Sequence, residues 1–158
     1  MSRLPALGRR GEGWVVIQIV MLAGVGAAGL AGPAWDGPSR DVASVAGAGL
    51  LGVGLVLALR GLVDLRDALT ALPHPRDGAS LVDTGSYALV RHPIYGGIIV
   101  GAAGYGLLMA SPPALVGAAV LLGFFRLKSG REEAWLEARY PGYAAYRERT
   151  RRLLPFLY

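Results

Sequence analysis

Cysteine is absent from this chain, and only two histidines occur among its 158 residues. Without thiols the protein cannot form disulfides, use a thiolate nucleophile or hold a metal through cysteine ligands. Two histidines leave little material for a metal cluster of another kind. The composition therefore predicts that the protein works without a metal ion.

Charge is also scarce, and three long stretches contain no Asp, Glu, Lys or Arg: 13–35, 42–59 and 92–125. Charged residues make up 17% of the chain and hydrophobic residues 53%. The mean hydropathy is +0.43, well above that of an average soluble domain. Since about 20 apolar residues in a helix cross a hydrocarbon core of about 30 Å, the composition indicates an integral membrane protein.

Four transmembrane helices fit these stretches, because the third one is too long for a single crossing. Ser-Pro-Pro at 111–113 divides it into a helical hairpin, since proline suits the first turn of a helix. The first span could be a signal peptide, but its full length and the second span directly after it favour an uncleaved helix. We predict one all-α integral membrane domain over residues 1–158, with transmembrane helices at about 14–31, 42–59, 94–110 and 114–125.

The distribution of basic residues predicts the orientation of these helices. Of the 16 Lys and Arg residues, all but Arg40 lie in the N-terminal segment, in 60–91 or from Arg126 onward. By the positive-inside rule, both termini and the 60–91 segment are cytoplasmic, most simply in the plasma (inner) membrane. The net charge of +5 then describes a face near anionic lipid headgroups, and it needs no nucleic-acid partner.

Small residues recur four positions apart inside the predicted helices. In lipid, where van der Waals packing replaces the hydrophobic effect, such spacing lets helix backbones approach closely. We therefore interpret them as packing positions rather than as functional residues. They are Ala23 and Ala27, Gly24 and Ala28, Ser44, Ala48 and Gly52, and Gly97 and Gly101.

Two segments outside the spans show helical patterning. Leu62, Leu65, Leu69 and Leu72 predict an amphipathic helix on the membrane surface, which the turn residues at 73–78 would end. The C-terminal segment predicts basic amphipathic helices that lie at the membrane interface or fold back over the cytoplasmic side. Their regularly spaced positions are Tyr143, Tyr146, Thr150, Leu153 and Leu157.

Two unusual polar clusters stand at the predicted cytoplasmic mouth. Arg91, His92 and Tyr95 begin the third span, and Glu132 and Glu133 follow the fourth. Because those spans form a hairpin, the clusters are expected to face one another. The free N–H groups of a helix start suit a carboxylate, and a glutamate accepts hydrogen bonds from hydroxyls or pairs with an ammonium. Together these features describe a small zwitterionic nucleoside better than a phosphate.

Each of these residues also has a plain structural interpretation. Arg91 and Tyr95 fit interface anchors. Glu132 stands three residues after Ser129, as in a capping box at the start of a helix. His74 lies in a polar turn. On the residues alone, a ligand site and these structural roles both remain open.

Three motifs together resemble the isoprenylcysteine carboxyl methyltransferase and phospholipid methyltransferase group of integral membrane enzymes. The first is L-V-x-x-G-x-Y at 81–87, and the second is R-H-P-x-Y-x-G at 91–97. The third is E-E-x-x-L at 132–136, followed by the tyrosine-rich YPGYAAY at 140–146. The resemblance covers about residues 60–155 and leaves out the first helix.

The resemblance implies a methyltransferase that binds S-adenosylmethionine on the cytoplasmic side, in a region formed by residues 79–97 and 126–158. Leu81, Val82 and Tyr87 would line the adenosine side of the cofactor. The amino-acid part and the ribose would lie against His92, Pro93, Ile94 and Tyr95. Glu132 would contact the cofactor, with Glu133 as its close neighbour.

The same resemblance says less about the methyl acceptor, which it implies to be a lipid-like or prenylated molecule from the membrane. In the isoprenylcysteine enzymes, an Arg four residues before the first Glu of the pair contacts the substrate, and Lys128 occupies that position here. Arg91 is the other substrate-contact candidate. No side chain is assigned to the chemical step, and a carboxylate or an amine would both serve as acceptor.

Two other classes of protein fit part of the pattern. A membrane reductase of the related sterol type would share the hairpin and tail but bind NADPH. A small transporter would need an ionisable residue within its spans, and none occurs there. Methyl transfer is therefore the preferred interpretation.

Overall fold

The computed structural model describes residues 4–70, 72–75 and 77–154, and within these ranges the fold is entirely helical. Leu157, predicted to lie on the aromatic helix face, is outside the described residues. Three helices, α1, α2 and α4, are long and apolar enough to cross a membrane, whereas α3 is apolar but shorter. The five helices are α1 (Glu12–Ala31), α2 (Pro38–Leu65), α3 (Pro93–Leu108), α4 (Pro112–Arg139) and α5 (Tyr143–Arg149).

The predicted hairpin of α3 and α4 is present, and the local sequence explains it. Proline stands in the first turn of both helices, where its missing N–H costs no hydrogen bond. Ser111 ends the tight turn between them by accepting a hydrogen bond from Ala114 N at 3.3 Å, which caps α4. The hairpin places the start of α3 beside the middle of α4.

Helices α2 and α3 pack backbone against backbone through glycines. A Cβ atom on Gly54 would lie 2.4 Å from the Gly101 nitrogen, and one on Gly97 would lie 2.5 Å from the Ala58 nitrogen. The prediction was right for Gly97 but wrong for Gly24 and Gly52, where a Cβ would meet nothing within 4 Å in the described chain. The close contacts recur seven residues apart rather than four, at Gly47, Gly54 and Gly61 of α2 and at Gly97 and Gly104 of α3.

Helix α3 runs alongside α2 for most of its length in spite of being short. Its first turn lies against Gly61, whose Cβ would be 2.8 Å from Ile94 Cγ1. At its other end the Leu108 carbonyl accepts a hydrogen bond from Ser44 Oγ at 3.4 Å. We call this second end of the bundle the hairpin-turn end, and there Ser111 Oγ also donates to the Ala28 carbonyl of α1.

Two predictions about the charged segments were wrong. The amphipathic surface helix through Leu62 to Leu72 does not form, because α2 continues to Leu65 and only a short 3₁₀ turn follows. Helix α4 runs on without a break from its apolar part, which ends at Phe125, to Arg139. Glu132 is therefore not part of a capping box, and Ser129 Oγ instead donates to the Arg126 carbonyl within the helix.

The C-terminal segment folds back over the protein. Only one short helix, α5, occurs in its described part, and the aromatic face of α5 is buried: Tyr143 is 0% exposed and Tyr146 2%. The segment therefore packs on the rest of the protein through its aromatic face. Residues 150–154 then run past the start of α3. They cover the end of the bundle that lies opposite the hairpin-turn end.

Candidate functional site

A cavity of about 190 Å³ opens where α3 begins and where α4 extends beyond its apolar part. We call it the mouth cavity. The end of α2, the loop at 79–87 and helix α5 complete its walls. The wall toward α2 and the loop is mainly apolar, and the wall formed by α3 and α4 carries the charged groups. Its apolar lining includes Leu62, Leu65, Leu69, Leu81, Val82 and Leu136.

Tyr95 and Glu132 form a polar pair on the wall of the mouth cavity. Tyr95 Oη donates to Glu132 Oε2 at 2.8 Å. The tyrosine ring is held in place because it stacks on His92 at 5.3 Å and on Phe125 at 4.7 Å between ring centroids. Glu132 Oε1 has no hydrogen-bond partner among the described residues, so it is available to accept from a ligand.

Glu133 lies on the same helix but serves a buried ion cluster instead of the cavity. Its Oε1 accepts from Arg91 Nε at 2.8 Å and lies 3.3 Å from His92 Nε2. Its Oε2 accepts from Arg152 Nη2 at 2.9 Å. Both carboxylate oxygens are thus engaged by cationic or hydrogen-bonding partners, as a carboxylate that is 3% exposed requires.

Glu133 lies about two helical turns beyond the apolar segment that ends at Phe125. Its ionisation is determined by burial and by the partners just described. Burial by itself raises the pKa of the Glu133 carboxyl. The hydrogen bonds from His92 and Arg91 and the charge of Arg152 outweigh burial and lower this pKa to about 2. Glu133 is therefore a carboxylate at neutral pH.

Arg91 ties the start of α3 to the C-terminal segment. Its Nη1 donates to the carbonyls of Arg147 at 3.0 Å and Thr150 at 2.5 Å. The backbone continues the connection, since Arg91 N donates to Arg151 O at 2.8 Å and His92 N to Arg152 O at 3.0 Å. Most of the hydrogen-bonding capacity of Arg91 is therefore used inside the protein.

Two hydrogen bonds hold the Tyr87 end of the loop that closes the far wall. Asp64 Oδ2 accepts from the backbone N–H of Ser86 at 2.7 Å, next to Gly85, whose φ of 62° suits glycine. Tyr146 Oη donates to the Tyr87 carbonyl at 2.8 Å. These contacts hold Tyr87 against the cavity from the loop side.

Two further polar groups meet the cavity without a full set of partners. Tyr143 lines it, and its hydroxyl is buried without a hydrogen-bond partner among the described residues. Lys128 is 2% exposed, and its Nζ donates to Gln18 Oε1 of α1 at 2.5 Å. Nζ also lies 4.9 Å from the centre of the Tyr95 ring. Because buried polar groups usually have partners, both positions suggest contacts that a ligand would complete.

The structure brings most of the predicted site residues to this cavity. Both substrate-contact candidates, Arg91 and Lys128, line it as well. Two predicted cofactor residues do not line it, since Pro93 is buried as the first residue of α3 and Glu133 belongs to the ion cluster. The predicted residues that do line it are Leu81, Val82, Tyr87, His92, Ile94, Tyr95 and Glu132.

A comparison with known protein families decides the class of this protein. The sequence profile of the phospholipid methyltransferase family matches residues 42–142, which is well over half of the chain. The protein belongs to the phospholipid methyltransferase family. No curated individual protein matches the chain. The family match confirms the membrane methyltransferase assignment and gives no support to the reductase alternative.

Gln18 is a polar cavity residue that the sequence analysis missed, and it lies outside the part of the chain that matches the phospholipid methyltransferase family. One signal was present, because Gln18 is the only amide or hydroxyl side chain in the uncharged stretch 13–35. Such a group is costly in a membrane helix unless it has a partner. Its partner is Lys128, which no pattern in α1 could reveal.

Proposed function

We propose that this protein is an S-adenosylmethionine-dependent methyltransferase that modifies a lipid-like acceptor at the cytoplasmic face of the plasma (inner) membrane. Four helices would cross the bilayer, with both termini and the mouth cavity on the cytoplasmic side. The observation that carries the proposal is the mouth cavity itself, because the separate motifs of a methyltransferase family meet there. Phospholipid methyltransferases generally take their methyl group from this cofactor.

The residues around the mouth cavity fit such a cofactor. Glu132 Oε1 is free to accept hydrogen bonds from ribose hydroxyls, and the unpartnered Tyr143 hydroxyl adds another polar contact. Leu81, Val82 and Tyr87 supply an apolar and aromatic surface for the adenine. His92 and the first turn of α3 would receive the amino-acid part, for which free backbone N–H groups are suitable.

The cofactor, when bound, supplies a methyl group already activated by the positive sulfonium. The protein therefore has to position the donor and the acceptor within attack distance and keep water away. The Glu133 cluster fixes His92 and Arg91, and Tyr95 is fixed between His92 and Phe125. A carboxylate acceptor needs no base, whereas an ammonium would first have to lose a proton.

Isothermal titration of the purified protein in lipid nanodiscs with S-adenosylmethionine tests the proposal. We expect saturable binding by the native chain. Glu132→Ala and His92→Ala should weaken it by about tenfold, which is the size expected for losing one charge-assisted hydrogen bond. Glu137→Ala is the matched control, because Glu137 lies on the same helix with its side chain 47% exposed.

Two results would argue against this function. Absence of saturable binding by a protein with native helical content would remove the cofactor from the proposal. Equal affinity in the native chain and in both variants would return Glu132 and His92 to purely structural roles. Thermal unfolding of each variant separates loss of binding from loss of fold.

A further inference from the structure

The start of α5 brings a buried hydroxyl without a partner to the mouth cavity. Tyr143 is 0% exposed and lines the cavity, and its Oη makes no hydrogen bond among the described residues. Its ring packs edge-on against Tyr146, with the ring centroids 5.7 Å apart, so packing alone holds the side chain. A buried hydroxyl without a partner costs free energy, and few occur in native proteins. This hydroxyl is therefore suited to a hydrogen bond with a bound molecule.

The two neighbouring tyrosines of the C-terminal segment use their hydroxyls inside the protein. Tyr140 Oη donates to the Ala79 carbonyl at 2.7 Å, and Tyr146 Oη donates to the Tyr87 carbonyl at 2.8 Å. Both bonds fasten the C-terminal segment to the loop across the cavity. Tyr143 makes no such bond, so the fold does not require its hydroxyl. It also follows directly after the last residue of the family match, which therefore assigns no role to it.

The charges around Tyr143 indicate which kind of group its hydroxyl would bind. Burial raises the pKa of the Tyr143 phenol; the charges of Glu133 and Glu132 raise it further, while that of Arg91 lowers it. The phenol is therefore a neutral donor at neutral pH. Both Glu133 oxygens are already engaged, and Glu132 lies beyond hydrogen-bond distance of the phenol. Arg91 Nη2 is a second donor without a partner among the described residues. Two such donors favour an anionic ligand group.

We propose that the Tyr143 hydroxyl donates a hydrogen bond to the carboxylate in the amino-acid part of S-adenosylmethionine, with Arg91 Nη2 as the second donor. This inference rests on the proposed function, which assigns the amino-acid part of the cofactor to His92. Arg91 and His92 share Glu133 as their partner, so a carboxylate beside Arg91 also lies near His92. It would lie on the charged wall of the mouth cavity, away from the apolar loop that receives the adenine.

Two ligands that differ only in this carboxylate test the assignment. Isothermal titration in lipid nanodiscs compares S-adenosylmethionine with its decarboxylated form, which keeps the adenosine, the sulfonium and the ammonium. We expect Tyr143→Phe to weaken binding of S-adenosylmethionine by about tenfold, as the loss of a charge-assisted hydrogen bond implies. Binding of the decarboxylated form should stay within about twofold of the native chain, because no hydrogen bond to it is lost. Tyr105→Phe is the control, since Tyr105 Oη donates to the Gly26 carbonyl away from the mouth cavity. It should leave both affinities unchanged.

Thermal unfolding without ligand separates binding from folding. Tyr143→Phe should unfold at the temperature of the native chain or above it, because the change removes a buried polar group that has no partner. Tyr146→Phe is the matched variant on the same helix, 2% exposed in the native chain. It should unfold about 2–4 °C lower, since it loses the hydrogen bond to the Tyr87 carbonyl. An equal loss of stability in both variants would show that the Tyr143 hydroxyl has a structural partner, which would overturn the proposal.

The titrations also distinguish this proposal from the proposed function. Equal weakening of both ligands by Tyr143→Phe would assign the hydroxyl to another part of the cofactor, and unchanged affinity for both would remove it from the site. Either result overturns the carboxylate contact, while saturable binding of S-adenosylmethionine by the native chain leaves the proposed function standing. If the native chain binds neither ligand, the proposed function fails and the assignment of Tyr143 fails with it.

Discussion

At the scale of single residues, the two adjacent glutamates of α4 have different tasks. Glu132 leaves one oxygen free toward the cavity, whereas both oxygens of Glu133 are bound within the protein. Their order on the helix decides this, because neighbouring residues point about 100° apart. A pattern of two consecutive glutamates therefore contains one ligand-facing group and one group that positions Arg91 and His92.

Replacing Glu133 with Gln should destabilise the fold more than any other single charge removal in this region. The change leaves Arg91 and Arg152 buried or half-buried without their anion, which typically costs about 3 kcal/mol. The free energy of unfolding in detergent, measured by urea titration, checks this. Glu137→Gln is the control, since its ion pair with Arg147 is exposed and should be worth under about 1 kcal/mol.

The pH dependence of the same variant follows from the lowered pKa of Glu133. A carboxyl whose pKa is lowered on folding stabilises the native state above its unfolded pKa, and the stabilisation is lost as the pH falls through the folded value. The stability difference between the native chain and Glu133→Gln should therefore be constant from pH 7 to about 5 and shrink toward pH 2. A difference that instead grows in acid would contradict the ion cluster.

At the scale of helices, close contact between α2 and α3 positions the site. Glycines at the interface let the two backbones touch, and this contact carries the start of α3 to the end of α2. The cavity is bounded by both of these ends. Spacing between the helices therefore affects the distance across the cavity, although the glycines themselves do not line it.

Gly54→Val should destabilise the protein by about 1–3 kcal/mol, because its Cβ would overlap the backbone of α3 at 2.4 Å. Gly52→Val, two residues away, is the matched control, since a Cβ there meets no described atom within 4 Å. Thermal unfolding in one detergent compares the two variants. Equal unfolding temperatures would show that α2 and α3 do not pack as closely as the structure has them.

Local patterns predicted the hairpin and the sites at its mouth, but not the lengths of the helices. Charge marks where the apolar segment of α4 ends, but it does not show that the helix itself continues to Arg139. Beyond that point the side chains of α4 find distant partners: Lys128 on α1, and Glu133 on Arg91 just before α3. Such contacts join residues distant in sequence, so no local pattern records them. The same reason explains why Gln18 was missed.

At the scale of the whole molecule, the C-terminal segment acts as a strap across the site. Leu153 is 1% exposed, and its carbonyl oxygen lies so close to Gly96 that a Cβ at this position would clash with it. The adjacent Arg152 reaches Glu133 from the strap. His92 is therefore held by Glu133 of α4 and by Arg152 of the strap, both of which are distant from it in sequence.

Loss of the Leu153 side chain should loosen this strap. Leu153→Ala is expected to lower the free energy of unfolding by about 2–4 kcal/mol, as for other buried leucines. If the strap supports the proposed cofactor site, affinity for S-adenosylmethionine should fall as well. Arg151→Ala is the control, because the Arg151 side chain is exposed and only its backbone pairs with Leu89 and Arg91. Equal free energies of unfolding for the two variants would mean that packing of the Leu153 side chain does not stabilise the protein.

The proposed four-span topology depends on whether the short helix α3 crosses the membrane. At about 1.5 Å per residue its 16 residues extend about 24 Å, which is less than the hydrocarbon core of about 30 Å. It still runs along α2 from Gly61 to Ser44, and α1 and α4 meet it at the hairpin-turn end. Neighbouring helices shield it from lipid, so it can cross with less than a full apolar length.

We therefore expect reporter fusions after Gly37 and Ala110 to be external, and fusions after Thr70 and Leu154 to be cytoplasmic. An alkaline phosphatase and green fluorescent protein pair at each position measures this, and a fusion after Ala110 that fluoresces would exclude a four-span arrangement.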